Sequence, residues 1–427
     1  MLNSLTVHDQ LFGAFDVPED IIELLRCPEI QRLRDIRLIN MSSLGCQSLS
    51  EVRRLSHTLG VLRLAMEASH KLAGRYSAGK LRTFLFAAVL HDVATPAFAH
   101  LFERELLRRY SWHHEHMIST IIRGSYRPEN IDHQVYFKSP LSVQKVLRKF
   151  DVEPDEVFDL ISGKGELGPL IAGSLDLDNL DNVFRMFSFL GFDFDRRAPL
   201  RIARSLDLWG GRLAASEEVV EDMKLWTTAR RKSYEVLFFN PQNLCMQAML
   251  SECFAIAVEN RLLGPEYWHL TDEEILRRLL EYSQTKATVK RIAMGRDFDV
   301  LGILWLKNEG ALFQRLSDDK EIKRFAHEVK RTLDCSVLTY VVGEKGSFSK
   351  ELQIMLNPSS APVCLSRESR TIIVGLFNRT KTSVSSTDRR RAQEILMSHF
   401  AITSDDLMRV PRLHEIYDFD SQKELPL

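Results

Sequence analysis

The chain has no cysteine pair at redox or zinc-motif spacing. Its six cysteines, Cys27, Cys46, Cys245, Cys253, Cys335 and Cys364, are scattered without a CxxC. In a chain of 427 residues, too large to need disulfide staples, they read as reduced thiols and predict a cytoplasmic protein. An excess of either charge is also lacking, with 57 basic against 58 acidic residues. No global field concentrates an extended polyanion, so binding along nucleic acid is disfavoured, while a local pocket for one phosphate group stays open. The longest apolar run, Phe84 to Leu90, is far too short to span a bilayer, and the N-terminal stretch MLNSLTVHDQLFGAF has no basic segment followed by an apolar one. The expectation is a protein that is neither exported nor membrane-embedded. Internal repeats and low-complexity tracts are absent, and 44% hydrophobic with 27% charged residues is a globular composition. At this length one large domain with an appendage, or two domains, is expected.

What is present is mostly helical. From about residue 17 to 310 the apolar residues recur at helical spacing, as in Leu55, Leu59, Leu62 and Met66 of the stretch beginning at Glu51. The segment KLRTFLFAAVLHDVATP, residues 80–96, is apolar on nearly all sides and predicts a buried central helix ending near Pro96, with the pair His91-Asp92 at its end. Beyond about residue 330 the texture changes. CSVLTYVVGE (335–344), ELQIMLN (351–357) and TIIVGLFN (371–378) predict three short strands, followed by a helix capped by Ser386 or Thr387. The fold class is therefore mostly α, with residues 1–330 as the helical domain behind an extended N-terminal segment and 331–427 as a small α+β C-terminal lobe.

A His-Asp pair by itself means little in a chain with 13 histidines, and a second one at His8-Asp9 serves as a control: it lies in a polar, extended segment with no helix behind it. His91-Asp92 differs by its setting. Imidazole and carboxylate together suit a divalent ion when several converge from rigid helices. His57, mid-helix in RRLSHTLGV, and Asp178, in the helix start LDLDNLDNVF, are the further candidates. Each also has a plain structural reading: His57 as a hydrogen-bonded core histidine, and Asp176, Asp178 and Asp181 as acids favoured by a helix N-terminus.

The order His57, His91-Asp92 after 34 residues and Asp178 after a further 86 is that of the HD phosphohydrolases. With CPEIQRLRDIRL (27–38), RRLSHTLGV (53–61), VLHDVATPAFAHLFE (89–103), WHHEH (112–116), LDLDNLDNVF (175–184) and RRKSY (230–234), the chain resembles the deoxynucleoside triphosphate triphosphohydrolases, a group that includes the bacterial dGTPases. The resemblance implies the helical HD-domain fold and one divalent ion (Mn, Mg, Fe, Zn or Ni, which the donor set does not distinguish) on His57, His91, Asp92 and Asp178. It implies a nucleotide substrate cleaved to deoxynucleoside and tripolyphosphate. His114 with Glu103, and His100 nearby, would serve proton transfer. Arg54 would meet a phosphate, Tyr234 the deoxyribose and Arg230 a further phosphate. A homo-oligomer, dimer or tetramer, is also implied.

The chain departs from that pattern. Thr95 stands where a catalytic histidine is expected and cannot act as an acid near neutral pH. Asn179, Asn182, Trp226 and Met186 replace charged or polar contacts to the triphosphate and sugar. A second, regulatory nucleotide site maps only in part, to Gln31 and Arg34, with Arg26 and Leu38 in place of its polar partners. Three readings follow: a deoxynucleotide triphosphohydrolase, an HD hydrolase of another phosphate ester such as a monophosphate, modified nucleotide or short oligonucleotide, and a catalytically silent nucleotide-binding scaffold.

Overall fold

The computed structural model describes residues 5–40, 43–125, 141–307, 310–343, 350–357, 361–367, 371–380 and 383–408. The first four residues, Glu344 of the first expected strand and the chain beyond 408 lie outside them. The helical expectation holds. The helix Arg54–Leu72 packs between Ala78–Leu90, Leu177–Phe189 and Ala198–Ser205. Ala78–Leu90 is the central one: Phe84, Phe86, Ala87, Ala88, Val89 and Leu90 are all fully buried. Its first turn meets water through Ala78 and Gly79, whereas its C-terminal half is covered by neighbours on nearly every side. It stops at Leu90, with His91 as its C-cap, several residues before Pro96. His91 and Asp92 thus sit on the turn that leaves a rigid rod.

That turn is fixed from outside. Phe98 and Ala99 adopt positive φ of 54° and 44°, a region costly for side chains with a β-carbon. Buried Asp272 holds them there: it accepts from the Phe98 N–H at 2.9 Å through Oδ1 and from the Arg37 N–H at 2.9 Å through Oδ2. The Phe98 ring lies 5.7 Å from that of Phe254. The helix His100–Tyr110 then starts in the direction needed to face the metal candidates.

The N-terminal residues expected as an extended segment form a hairpin, Leu5–Asp9 paired with Gly13–Val17, whose Leu11, Phe15 and Val17 join the main core.

The C-terminal sheet draws on residues before 331. The three-stranded antiparallel sheet places Thr371–Asn378 between Val337–Val342 and a strand the sequence reading missed, Asp299–Lys307. A second core begins at Leu301, and residue 331 falls inside the helix Asp319–Leu333. All eight residues of the central strand are buried. Ile372, Val374 and Leu376 face the lobe's own helices while Ile373 and Phe377 face the helical domain, as alternation along a strand requires. The sheet is thereby shared between two cores. The closing helix Ser386–His399 is capped one residue earlier than expected, by Ser385 in a capping box with Asp388.

Replacing Asp272 by alanine should cost about 3–5 kcal/mol, because it orphans two backbone N–H groups at a buried position and takes from the Arg37 guanidinium one of its two carboxylate partners, leaving it Glu273. A denaturant melt with an unchanged slope is the measurement; a loss below about 1 kcal/mol would contradict the anchoring role.

Candidate metal centre

His57 lies on the first turn of Arg54–Leu72, His91 and Asp92 on the turn after Ala78–Leu90, and Asp178 on the first turn of Leu177–Phe189, whose N-cap is Asp176. Three separate elements therefore converge. His57 Nε2 stands 3.3 Å from His91 Nε2, 3.8 Å from Asp92 Oδ2 and 3.0 Å from Asp178 Oδ1. His91 Nε2 is 3.5 Å from Asp92 Oδ2 and 3.9 Å from Asp178 Oδ1. Donors at neighbouring positions around one ion, each about 2.0–2.2 Å from it, stand roughly 3–3.6 Å apart. His57, His91 and Asp92 form the tight buried cluster. Asp178, its side chain 40% exposed, closes the open side. Two imidazoles and two carboxylates fit a divalent cation of borderline or hard character.

Hydrogen bonds on the far side of each ligand fix its orientation. His91 Nδ1 donates to the Ala88 carbonyl at 2.9 Å, which leaves Nε2 for the centre. His57 Nδ1 donates to Asp181 Oδ2 at 2.6 Å. Asp181, fully buried, is held in turn by Arg185, whose Nε and Nη2 donate to Oδ2 at 2.9 Å and Oδ1 at 2.8 Å. Gly60, one turn beyond His57, makes room: a β-carbon there would collide with Asp181 Oδ1 and Arg185 Nη2. Burial alone would disfavour the imidazolium of His57, but its hydrogen bonds to Asp178 and Asp181 outweigh burial and push its pKa up to about 9. A cation entering the cluster must displace that proton.

Asp92 is the charged ligand at the helix end. Its burial is opposed by the charges of Arg54, His91 and His57, which hold the carboxyl well below the usual range. Arg54 Nη1 donates to Asp92 Oδ2 at 2.5 Å, and Nη2 to the Leu38 carbonyl at 3.3 Å. The expected phosphate ligand is therefore turned onto Asp92, because a buried carboxylate needs a countercharge. Thr95 donates its hydroxyl to Asp92 Oδ1 at 2.9 Å. The turn itself is gripped by fully buried Arg32, which donates to the Thr95 carbonyl at 2.6 Å.

These residues floor a cavity of about 530 Å³. Buried Glu103 holds two histidines that line it, His100 and His114. Its Oε1 accepts from His114 Nδ1 at 2.5 Å and from the His114 backbone N–H at 2.9 Å, and its Oε2 from His100 Nδ1 at 3.0 Å. Burial opposes the Glu103 charge, but the bonds to His100 and His114 keep its carboxyl far below the usual range. For His114 burial favours the neutral ring, and the bond to Glu103 outweighs it and raises the pKa. His100 is 72% exposed, at the mouth. Tyr234 lines the cavity from the helix Val220–Phe239. Arg230 does not line it: its guanidinium carbon lies 4.7 Å from the Tyr234 ring centre and Nη1 3.4 Å from Asn179 Oδ1, which places it behind Tyr234. The nearby Trp226 is fully buried, with Nε1 on the Asn179 carbonyl.

Sequence reasoning missed Asp181, Arg185, Gly60 and Thr95 as supports of the ligands, and Tyr340 to Gly343, which bring the C-terminal lobe to the cavity. The spacing Asp181 to Arg185, four apart on one helix face, was the available signal.

Comparison with known proteins follows this geometry. The HD domain family matches residues 54–164, so the chain carries an HD domain. It is 19% identical over 261 residues to the uncharacterized protein MJ1154 of Methanocaldococcus jannaschii, covering 60% of this chain and 51% of that protein. It is 21% identical over 299 residues to the deoxynucleoside triphosphate triphosphohydrolase SAMHD1 homolog of Dictyostelium discoideum, covering 65% and 55%. The chain thus spans about half the length of the curated relatives it matches. The crystal structure of a phosphohydrolase from Bacteroides thetaiotaomicron superposes with a TM-score of 0.66 at 16% identity, covering 88% of this chain and all of that one. No helix among the described residues is long and apolar enough to cross a membrane. The family match and the convergent His57, His91 and Asp92 together make the chain an HD-domain protein.

Two outcomes test the centre. Gly60→Ala should lower affinity for Mn²⁺ at least about tenfold by displacing the Asp181–Arg185 pair behind His57; unchanged affinity would refute that packing role. Adding Mn²⁺ to chelator-stripped protein in weak buffer at pH 7.5 should release a proton, since His57 is raised to about 9 and binds metal only when neutral. The apparent affinity should climb as pH rises toward that value.

Proposed function

We propose that the chain is a metal-dependent phosphohydrolase of nucleotides, with deoxynucleoside triphosphates as substrates and deoxynucleoside plus tripolyphosphate as products. The observation that carries the metal-dependent reading is the convergence of His57 and His91 Nε2, 3.3 Å apart, with Asp92 and Asp178 oxygens 3.0–3.9 Å from them, at the floor of a nucleotide-sized cavity. The deoxynucleotide reading is supported by the ordered motifs and by the Dictyostelium relative.

A divalent ion on these four residues would supply Lewis-acid activation of water and of a phosphoryl oxygen. The remaining work falls to the chain. His114, with Nδ1 committed to Glu103, keeps Nε2 for giving or taking the proton at the reacting oxygen. Its raised pKa suits an acid that protonates a leaving oxygen at neutral pH. Glu103 fixes the tautomer and stays ionised throughout. Arg54 keeps Asp92 charged and oriented, and the Tyr234 ring forms a flat wall for a sugar. Thr95 orients Asp92 and moves no proton.

A second reading has its own observation. Among the described residues no lysine lines the cavity, and its two arginines are engaged, Arg54 on Asp92 and Arg104 on Ser251 and the Tyr340 ring. A less charged phosphate ester, such as a monophosphate, needs fewer countercharges.

One assay separates them: each deoxynucleotide, singly and mixed, and the corresponding monophosphates, incubated with Mn²⁺ or Mg²⁺. Tripolyphosphate is the expected product. Orthophosphate from monophosphates alone would select the second reading, and no product from any substrate would overturn both. Asp178→Ala should lose metal and activity together, and full activity in that variant would refute the ligand assignment. His114→Gln should lower kcat about 10²–10⁴-fold while metal content is kept.

A further inference from the structure

The relay behind His57 does not end at Arg185. Arg185 Nη1 donates to Asp9 Oδ2 at 3.0 Å, so one guanidinium bridges two carboxylates, Asp181 on its own helix and Asp9 at the end of the first hairpin strand. The chain is buried throughout: side-chain exposure is 1% for His57, 0% for Asp181, 1% for Arg185 and 5% for Asp9. The Arg185 guanidinium carbon also lies 5.8 Å from the Phe12 ring centre in the hairpin turn. Asp9 Oδ1 is occupied separately, accepting the backbone N–H groups of Leu11 and Phe12 at 2.8 and 3.0 Å.

We propose that Asp9 is a positioning residue of the metal centre, acting on His57 through Asp181 and through Arg185, which lies 176 residues from Asp9 in sequence; the proposal rests on the metal reading above. Two arguments carry it. The first is charge. Asp9, Asp92, Asp178 and Asp181 set four carboxylates against the guanidiniums of Arg54 and Arg185. Two negative charges are left, matching a divalent cation. Without Asp9, the whole charge of Arg185 would face Asp181 and weaken its hold on the Nδ1 proton of His57, making Nε2 a poorer ligand. The second is geometry. Arg185 meets Asp181 through Nε and Nη2, and Asp9 pins the third nitrogen, so the fork cannot swing and His57 cannot rotate with it. The signs alternate from His57 to Asp9, so each charge has a partner on either side.

The hairpin itself does not depend on this contact. Leu11, Phe15 and Val17 are buried in the main core, and Arg63 of the first-ligand helix lies 5.6 Å from the Phe15 ring centre. Asp9→Asn should therefore fold. Its amide either keeps the caps on Leu11 and Phe12 and turns an NH₂ toward the Arg185 donor, or loses the caps.

The test is Mn²⁺ binding to chelator-stripped full-length protein, followed by calorimetry well below the melting temperature. Asp9→Asn should weaken affinity at least about tenfold, and any hydrolytic activity it loses should return at high Mn²⁺. Thr6→Val, which breaks the exposed hairpin bond from Thr6 to Asp16, should bind as the parent does. Arg185→Lys, which keeps the charge but not the fork, should weaken binding as Asp9→Asn does, and it decides the matter if Asp9→Asn does not fold. Parent-like affinity in Asp9→Asn, or equal weakening by Thr6→Val, would overturn the proposal while the metal reading stands. A parent protein that binds no Mn²⁺ would overturn both.

Discussion

The interaction on which the site depends is the hydrogen bond from His57 Nδ1 to Asp181, two side chains 124 residues apart in sequence and both out of water. A buried carboxylate is tolerated only when paired, and breaking such a pair leaves an uncompensated charge that costs about 3–5 kcal/mol. This one is paired on both sides, with His57 and with Arg185. The bond clamps Arg54–Leu72 against Leu177–Phe189 at the level where ligands from both helices meet, so the same contact that stabilises the helix pair sets the direction of the His57 ring. Gly60 is part of the constraint, since no larger residue leaves space for the Asp181–Arg185 pair.

The C-terminal lobe belongs to the cavity as much as the helical domain does. Tyr340 reaches Gln247 of the helix Pro241–Glu259 through its hydroxyl at 3.4 Å, and Arg104 lies over its ring. The sheet's near face, with Leu338, Tyr340, Ile373 and Phe377, joins the main core while its far face builds a second one. A sheet anchored in two cores is a rigid wall, and Val341 to Gly343 are carried to the cavity by it.

How much of this was legible in the sequence follows from range. The position of His91-Asp92 was readable because it depends on local facts, an all-apolar helix and the residues that end it. The strands at 337–342, 352–354 and 371–378 were readable from β-branched runs between turn signals. Asp299–Lys307 was not: DVLGILWLK has no alternation because both its faces are covered, and a continuous apolar run does not distinguish a buried strand from a buried helix. Asp176, Asp178 and Asp181 read alike as first-turn acids, yet the fold gives them three tasks: helix cap, metal candidate and partner of His57. Only packing against His57 separates the last two. Asp9 was illegible for the same reason, since nothing in its neighbourhood along the chain hints at Arg185. The pairing of Arg54 with Asp92 was illegible too, since it follows from the burial of Asp92, a three-dimensional fact.

Thr95 now has a reason that does not require proton chemistry. Its hydroxyl and the Arg54 guanidinium take the two oxygens of Asp92, one each, so the carboxylate is oriented from both sides. A histidine in that place would add a titrating group beside Asp92. With threonine there, the proposed acid–base work would fall to the His114–Glu103 pair, which is carried by two other helices. The consequence is a division of labour by element. In the proposed reaction the turn after the central helix would hold charge and geometry constant, while the helices His100–Tyr110 and His114–Arg123 would carry the proton-transfer group. Under the proposed hydrolysis such a site would tolerate loss of cationic lining better than loss of Glu103, because the former would shift which phosphate ester is held and the latter would release both His114 and His100 from the carboxylate that orients them.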